Sequence, residues 1–289
     1  MPGKLFLCAT PIGNLDDITL RVLDTLKTAD LIAAEDTRHS LKLLNHFAIK
    51  TPMTSYHEFN KIDKARYLIS QMLNGLNIAL VTDAGTPAIS DPGEELVKMC
   101  YDAGIEVTSL PGPSACITAL TLSGLGTRRF CFEGFLPVDK KESSPVLERL
   151  KNEVRTTIFY EAPHRLPKTL NILHSAIGNR QVTLCRELTK RYETVMRTTL
   201  EDAVDYYKEH EPKGEYVIVI EGADIDKLHE ETKKQWEQIT IQAHMDIYLN
   251  QGMTKKEAMK AVAADRGVKK RDIYQYLTET KNVRGEDDE

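Results

Sequence analysis

Short apolar runs ending in glycine- and proline-rich turns recur through the first half of the chain, and this alternation constrains the fold more than any other feature. Leu5 to Ala9, Leu31 to Glu35, Ile78 to Thr82 and Glu106 to Leu110 read as strands. Between them, apolar residues gather on one helical face at Ile18, Leu20, Val22, Leu23 and Leu26, then at Leu68, Ile69 and Met72, then at Leu96, Val97 and Met99. Strands separated by helices return in the same direction. The expectation is a mainly parallel sheet covered by helices, with its ligand crevice beyond the carboxyl ends of the strands.

An apolar helix over Ser114 to Leu122 is followed by a linker-like stretch, Ser123 to Arg129. A second series begins there, with strands at Phe130 to Glu133, Thr157 to Glu161, Val182 to Arg186, Glu193 to Thr198 and Glu215 to Glu221. Helices fall around Leu147 to Val154, Leu166 to Ile177 and Glu201 to Glu209. The closer spacing of the later strands predicts a mixed sheet. From about Lys227 the pattern is wholly helical. Thr254 and Glu257 make a capping-box pair, Gly267 ends that helix, and a short helix over Arg271 to Thr278 follows at helix-turn-helix spacing.

The expected organisation is α/β in two domains: 1–123, with a parallel sheet, and 124–226, mixed α+β. A helical extension, 227–289, closes with the acidic tail Glu286 to Glu289. The extension reads equally well as an RNA-binding module and as a hairpin packed on the body or on a partner subunit.

Composition narrows the function. The apolar fraction of 41% supports packed cores, and the formal charge of −5 argues against coating nucleic acid by bulk electrostatics. RNA contact would have to come from local basic patches, such as the one containing Lys269, Lys270 and Arg271. No run is long enough for a membrane span or a signal-peptide core, so a cytoplasmic protein is expected. The five cysteines form no CxxC pair and stand near no histidine at ligand spacing, which predicts buried free thiols and no metal site.

Three strand-to-loop transitions concentrate turn residues. Thr10-Pro11-Ile12-Gly13-Asn14 follows the first strand, Asp83 to Gly93 follows the third, and Pro111-Gly112-Pro113-Ser114-Ala115 opens a helix that Ser114 is placed to cap. None is a phosphate loop or a GxGxxG fingerprint. A ligand held by backbone groups and small side chains, without a basic phosphate clamp, suits a nucleoside or amino-acid-like cofactor.

These loops, with AAEDTR at Ala33 to Arg38, VTDAGTPAISDPG at Val81 to Gly93, FEGFLP at Phe132 to Pro137, EAPHRL at Glu161 to Leu166 and RELTK at Arg186 to Lys190, resemble the tetrapyrrole (corrin/porphyrin) methylase family. In particular they are similar to its ribosomal-RNA-modifying members, in order and spacing, over roughly positions 4 to 222. The resemblance implies a two-domain fold, usually dimeric, with S-adenosylmethionine in the cleft. It places cofactor contacts on Thr10, Pro11, Ile12 and Gly13, on Asp83, Gly85, Thr86, Pro87 and Ile89, and on Gly112, Ser114 and Ala115. It also implies 2′-O-methylation of a cytidine ribose in the decoding region of 16S ribosomal RNA, with the small ribosomal subunit as partner. Thr86 stands where tetrapyrrole-modifying relatives commonly carry Asp.

A ribose hydroxyl is a poor nucleophile, so a base, or a cation for the emerging alkoxide, is needed beside the donor. The polar sets holding Glu35, Asp36 and Arg38, and Glu187 and Lys190, follow strands and offer such groups. The same sets could equally form a structural ion-pair network. His57, Arg165, Arg186 and Arg191 are candidate RNA contacts. Two other functions fit the sequence: methylation of a small tetrapyrrole, and a non-catalytic nucleic-acid-binding regulator built on the C-terminal helices.

Overall fold

The computed structural model describes residues 1–284; the acidic tail Glu286 to Glu289 lies outside the described residues. The chain folds as two compact units, Met1–Lys151 with Arg155–Gly222, and Asn152–Val154 with the chain from Ala223 onward.

In the first unit, β1 (Lys4–Cys8), β2 (Leu31–Ala34), β3 (Met53–Ser55), β4 (Ile78–Val81) and β5 (Glu106–Leu110) form a sheet in the order β3-β2-β4-β1-β5. Every pairing is parallel, with Leu5 opposite both Ile78 and Val107. The helices α1 (Leu20–Thr28), α2 (Thr37–His46), α3 (Lys61–Leu73) and α4 (Gly93–Asp102) follow successive strands. One face of the sheet buries Ile32, Ala34, Ala79 and Val81 with Val22, Leu26 and Leu44 from α1 and α2. The other buries Leu5, Ala33, Ile78 and Leu80 with Leu68, Met72 and Leu96 from α3 and α4. Each such fully buried aliphatic side chain contributes roughly 1.5–3 kcal/mol. With both faces covered, strands read as continuous apolar runs, as Ile78–Val81 does.

The sequence pattern shows neither β3 nor α2. β3 has three half-buried residues, and α2 begins inside a polar set, where Asp36 accepts the Arg38 backbone N–H as N-cap.

A second sheet in the same unit comprises β6 (Phe130–Phe135), β7 (Thr156–Glu161), β8 (Gln181–Arg186), β9 (Thr194–Thr199) and β10 (Tyr216–Ile220), in the order β6-β7-β10-β8-β9. β6 pairs parallel with β7 and the other pairs are antiparallel, which gives the expected mixed sheet. α6 (Lys140–Lys151), α7 (Leu166–Ile177) and α8 (Leu200–Glu209) cover one face, around Phe159, Leu184 and Ile218. α6 starts seven residues before the expected Leu147, because its first five residues, Lys140 to Ser144, are all polar and show no apolar period. The opposite face receives α5 (Ala115–Ser123), whose Cys116, Ala119 and Leu120 pack on Ile158, Cys185 and Val217. Thus a helix that follows the first sheet in the chain fills the core of the second.

The second unit is helical: α9 (Ile225–Glu237), α10 (Ile241–Asn250), α11 (Lys255–Asp265) and α12 (Lys270–Arg284). Its core gathers Met245, Ala258, Val262 and Ile273. The capping box of Thr254 and Glu257 is formed, and α12 runs beyond the expected Thr278. Among the described residues no helix is long and apolar enough to cross a membrane.

Candidate active site

Strand order in the first sheet reverses between β4 and β1, so the loops leaving these neighbours diverge and open a crevice at their carboxyl ends. There the loops are tied together. Thr10 and Gly85 form an isolated antiparallel bridge, and Thr10 Oγ1 donates to the Thr82 carbonyl at 3.2 Å. Thr86 Oγ1 donates to the Pro113 carbonyl at 2.9 Å, which joins the loops after β4 and β5. Asp91 fixes the far end of the long loop by accepting the backbone N–H groups of Ala88, Ile89 and Gly93.

Two adjoining cavities open at these tips. The first, about 230 Å³, has Ile12, Gly85, Thr86, Ile89, Ser114 and Ala115 on one wall. Its opposite wall comes from the second sheet and the turns after its strands, with Tyr160, Glu161, Ala162, Leu188, Tyr216 and Val217. The second cavity, about 560 Å³, lies between the loop Thr10–Gly13, the segment Thr82–Ala84 that follows β4, and one face of α2. Ile12, Ala84, Lys190 and Glu215 border both.

The border is held by charge. Lys190 Nζ lies 3.0 Å from Glu187 Oε1 and 2.9 Å from Glu215 Oε2, and the Glu215 backbone N–H donates to Glu187 Oε1 at 2.9 Å. Burial alone would raise the Glu187 pKa, but the Glu215 N–H and the Lys190 ammonium outweigh it and hold it below 4.5. Burial likewise opposes the Lys190 charge, and its bonds to Glu215 and Glu187 raise its pKa regardless. Gly13 lets the first loop approach this turn: a Cβ there would lie 2.3 Å from Lys190 Cγ.

Glu161, 2% exposed, accepts from Thr169 Oγ1 at 2.6 Å and pairs with Arg165 Nε at 3.2 Å. The Tyr160 hydroxyl accepts the Cys116 N–H at the start of α5. Ser114 does not cap that helix as expected; its hydroxyl lies 3.2 Å from Cys116 Sγ, so the cap comes from the second sheet instead.

The other anticipated residues are distributed as follows. Pro87 is buried, and Gly112 lies against Ala9. Thr10, Pro11, Gly13 and Asp83 line the second cavity rather than the first. Thr82 Oγ1 donates to Glu35 at 2.6 Å, Asp83 accepts the Asp36 N–H at 3.1 Å, and Asp36 pairs with Arg38 at 2.7 Å. This set therefore ties β2 to β4 and caps α2. Burial, then the neighbouring Glu35 carboxylate, raise the Asp83 pKa above its ordinary value.

Arg186 shares the β8 face of Val182 and Leu184, opposite the cavity-lining Cys185. Arg191 lies over the Tyr192 ring, and His57 Nε2 faces the Asn60 amide at 3.3 Å. Lys269, Lys270 and Arg271 lie at the start of α12 in the second unit, where Asp272 accepts the Lys269 N–H. Sequence reading picked out the turn holding Glu187 and Lys190, which lines the first cavity, but not Tyr216 and Val217 of β10 or the α2 face. The signal available for the latter was the spacing of His39, Lys42, Leu43 and His46.

A sequence profile of the Tetrapyrrole (Corrin/Porphyrin) Methylases matches residues 4–204. The chain is 52% identical to ribosomal RNA small subunit methyltransferase I of Halalkalibacterium halodurans, over 94% of this chain and 93% of that one. It is 47% identical to the protein of the same name from Bacillus subtilis, with the same two coverages. Among solved structures, uroporphyrin-III C-methyltransferase from Thermus thermophilus, complexed with S-adenyl homocysteine, superposes with a TM-score of 0.55 at 19% identity. That match covers 75% of this chain and 97% of the other.

Proposed function

This chain belongs to the tetrapyrrole (corrin/porphyrin) methylase family, and we propose that it transfers a methyl group from S-adenosylmethionine to RNA of the small ribosomal subunit. In its finer form the reading assigns the 2′-oxygen of a cytidine ribose in the decoding region of 16S ribosomal RNA. A cytoplasmic homodimer is part of the same reading.

One observation carries the choice of RNA over a macrocycle. Similarity to relatives named for ribosomal RNA extends over 94% of the chain, more than the 222 residues before the C-terminal helices can hold, whereas the uroporphyrin enzyme matches 75%. The helical unit is thus shared with the RNA-named relatives, and a nucleic-acid-binding regulator without catalysis would have no use for the cleft.

The first cavity suits the donor. Small residues, Gly85, Ala115 and Ala162, leave room beside the apolar Ile12, Ile89, Leu188 and Val217. The carboxylates Glu161, Glu187 and Glu215 line the cavity, Glu161 held by Arg165 and the other two by Lys190, a lining compatible with a cationic ligand. When bound there, S-adenosylmethionine supplies a methyl group on a positively charged sulfur.

The chain's part is alignment, proton removal and charge stabilisation. Asp83 lines the second cavity, and burial and the neighbouring Glu35 raise its pKa, whereas Glu187 is committed to Lys190 and the Glu215 N–H; Asp83 is therefore assigned as the base. Asp83 takes the hydroxyl proton, and the Lys190 ammonium, bordering both cavities, steadies the negative charge on the attacking oxygen. The test is mass mapping of small-subunit RNA from cells lacking the gene. Loss of one methyl from a cytidine ribose supports the reading; an unchanged methylation map contradicts it.

A further inference from the structure

We propose that the cavity walled by α2 receives the nucleotide to be methylated, held by His39, Lys42 and His46. The inference rests on the RNA methyltransferase reading above and adds the residues that recognise the substrate.

Position is the first support. The α2 cavity and the donor cavity share Ile12, Ala84, Lys190 and Glu215 at their border, so a ligand in one lies directly beside a ligand in the other. A methyl acceptor has to lie there.

The second support is the chemistry of the walls. His39, Lys42 and His46 follow one another at spacings of three and four along α2 and line the cavity from a single helical face, over about 10 Å. Among the described residues none of the three is in an ion pair, whereas neighbouring Arg38 is neutralised by Asp36. All three are exposed and take no part in the cores. An unpaired ammonium and two imidazoles on an exposed helix face suit an anionic ligand such as a phosphodiester.

Across the cavity, Pro11, Ile12 and Leu15 offer apolar surface, and Thr82 and Asp83 bring polar groups from the segment that follows β4. Apolar surface facing an ammonium and two imidazoles matches a nucleotide, whose base has apolar faces and whose backbone is charged. Along the α2 wall itself Lys42 and the two histidines stand with no carboxylate among them, while Asp83 and Glu215 lie on the other walls.

The test uses the full-length chain with His39→Gln, Lys42→Gln and His46→Gln, singly and together. S-Adenosylhomocysteine affinity is measured by calorimetry, and methyl transfer to purified, unmethylated small ribosomal subunits is followed across a salt series. The triple variant should melt with the wild type and bind S-adenosylhomocysteine within about twofold, since exposed substitutions cost little. Its kcat/KM should fall at least about tenfold, mainly through KM, with a shallower salt dependence, and Lys42→Arg should retain most of the activity. A triple variant within about twofold of wild-type kcat/KM at every salt concentration overturns the assignment of the α2 cavity. Wild-type protein that binds S-adenosylhomocysteine yet leaves the subunits unmethylated overturns the RNA reading itself, and the proposed occupant with it.

Discussion

Thr10 and Gly85 exchange both of their backbone hydrogen bonds, each N–H donating to the other's carbonyl, at 2.9 and 3.0 Å. This two-residue ladder joins the loops after β1 and β4 at the point where the sheet order reverses, and it sets the mouth of the donor cavity.

Gly85 has φ +84, and a Cβ there would meet Ile12 Cγ2 at 3.3 Å in the cavity wall. Gly85→Ala should therefore cost about 1–2 kcal/mol, from left-handed backbone strain. It should also weaken S-adenosylhomocysteine binding about tenfold. Thermal melting and calorimetry on the same sample check both; unchanged values would mean that the ladder does not shape the site.

Asp83→Asn and Lys190→Met should differ in kind. Asp83→Asn should lower kcat by about 10²–10⁴ as a lost base, with donor binding retained, because Asp83 lines the second cavity only. The acidic limb of the wild-type pH profile should follow Asp83, whose pKa burial and Glu35 raise above 3.8, and activity should fall as pH drops through it. Lys190→Met leaves Glu187 and Glu215 without their shared cation and removes the charge facing the attacking oxygen, so turnover should fall.

His244 is fully buried, stacked on Trp236 at 3.8 Å, with Arg266 Nε donating to its Nδ1 and Asp265 beside Nε2. Burial first, and then Arg266, keep its pKa below 6.5 against the pull of Asp265. The unfolded chain thus binds the extra proton first: this contribution to stability is complete above 6.5 and is lost as pH falls toward the folded pKa. The single tryptophan sits against this ring. Urea unfolding followed by its fluorescence should show a lower midpoint at about pH 5.5 than at about pH 8, with the difference reduced in His244→Gln.

What the sequence disclosed and what it concealed follow from the range of the interactions involved. Strands such as Ile78–Val81 are continuous apolar runs flanked by turn residues, and the loops carrying Gly85, Thr86 and Ser114 announce themselves by composition. Leu188, Tyr216 and Val217 look like ordinary strand and turn residues; they become cavity wall only because α5 docks on the second sheet. The Asp36–Arg38 pair reads as a polar set in one dimension, and only in three dimensions is it seen also to cap α2. Ser114 lost its expected capping role to Tyr160, forty-four positions from Cys116.

The claim beneath all of this is that the tips of β1, β4 and β5, closed by the second sheet, form a pocket for the methyl donor. Calorimetric titration of S-adenosylhomocysteine into the purified chain tests it directly. Saturable binding of one molecule per chain, weakened in Gly85→Ala, is the expected result; no heat of binding up to about 1 mM ligand would contradict it.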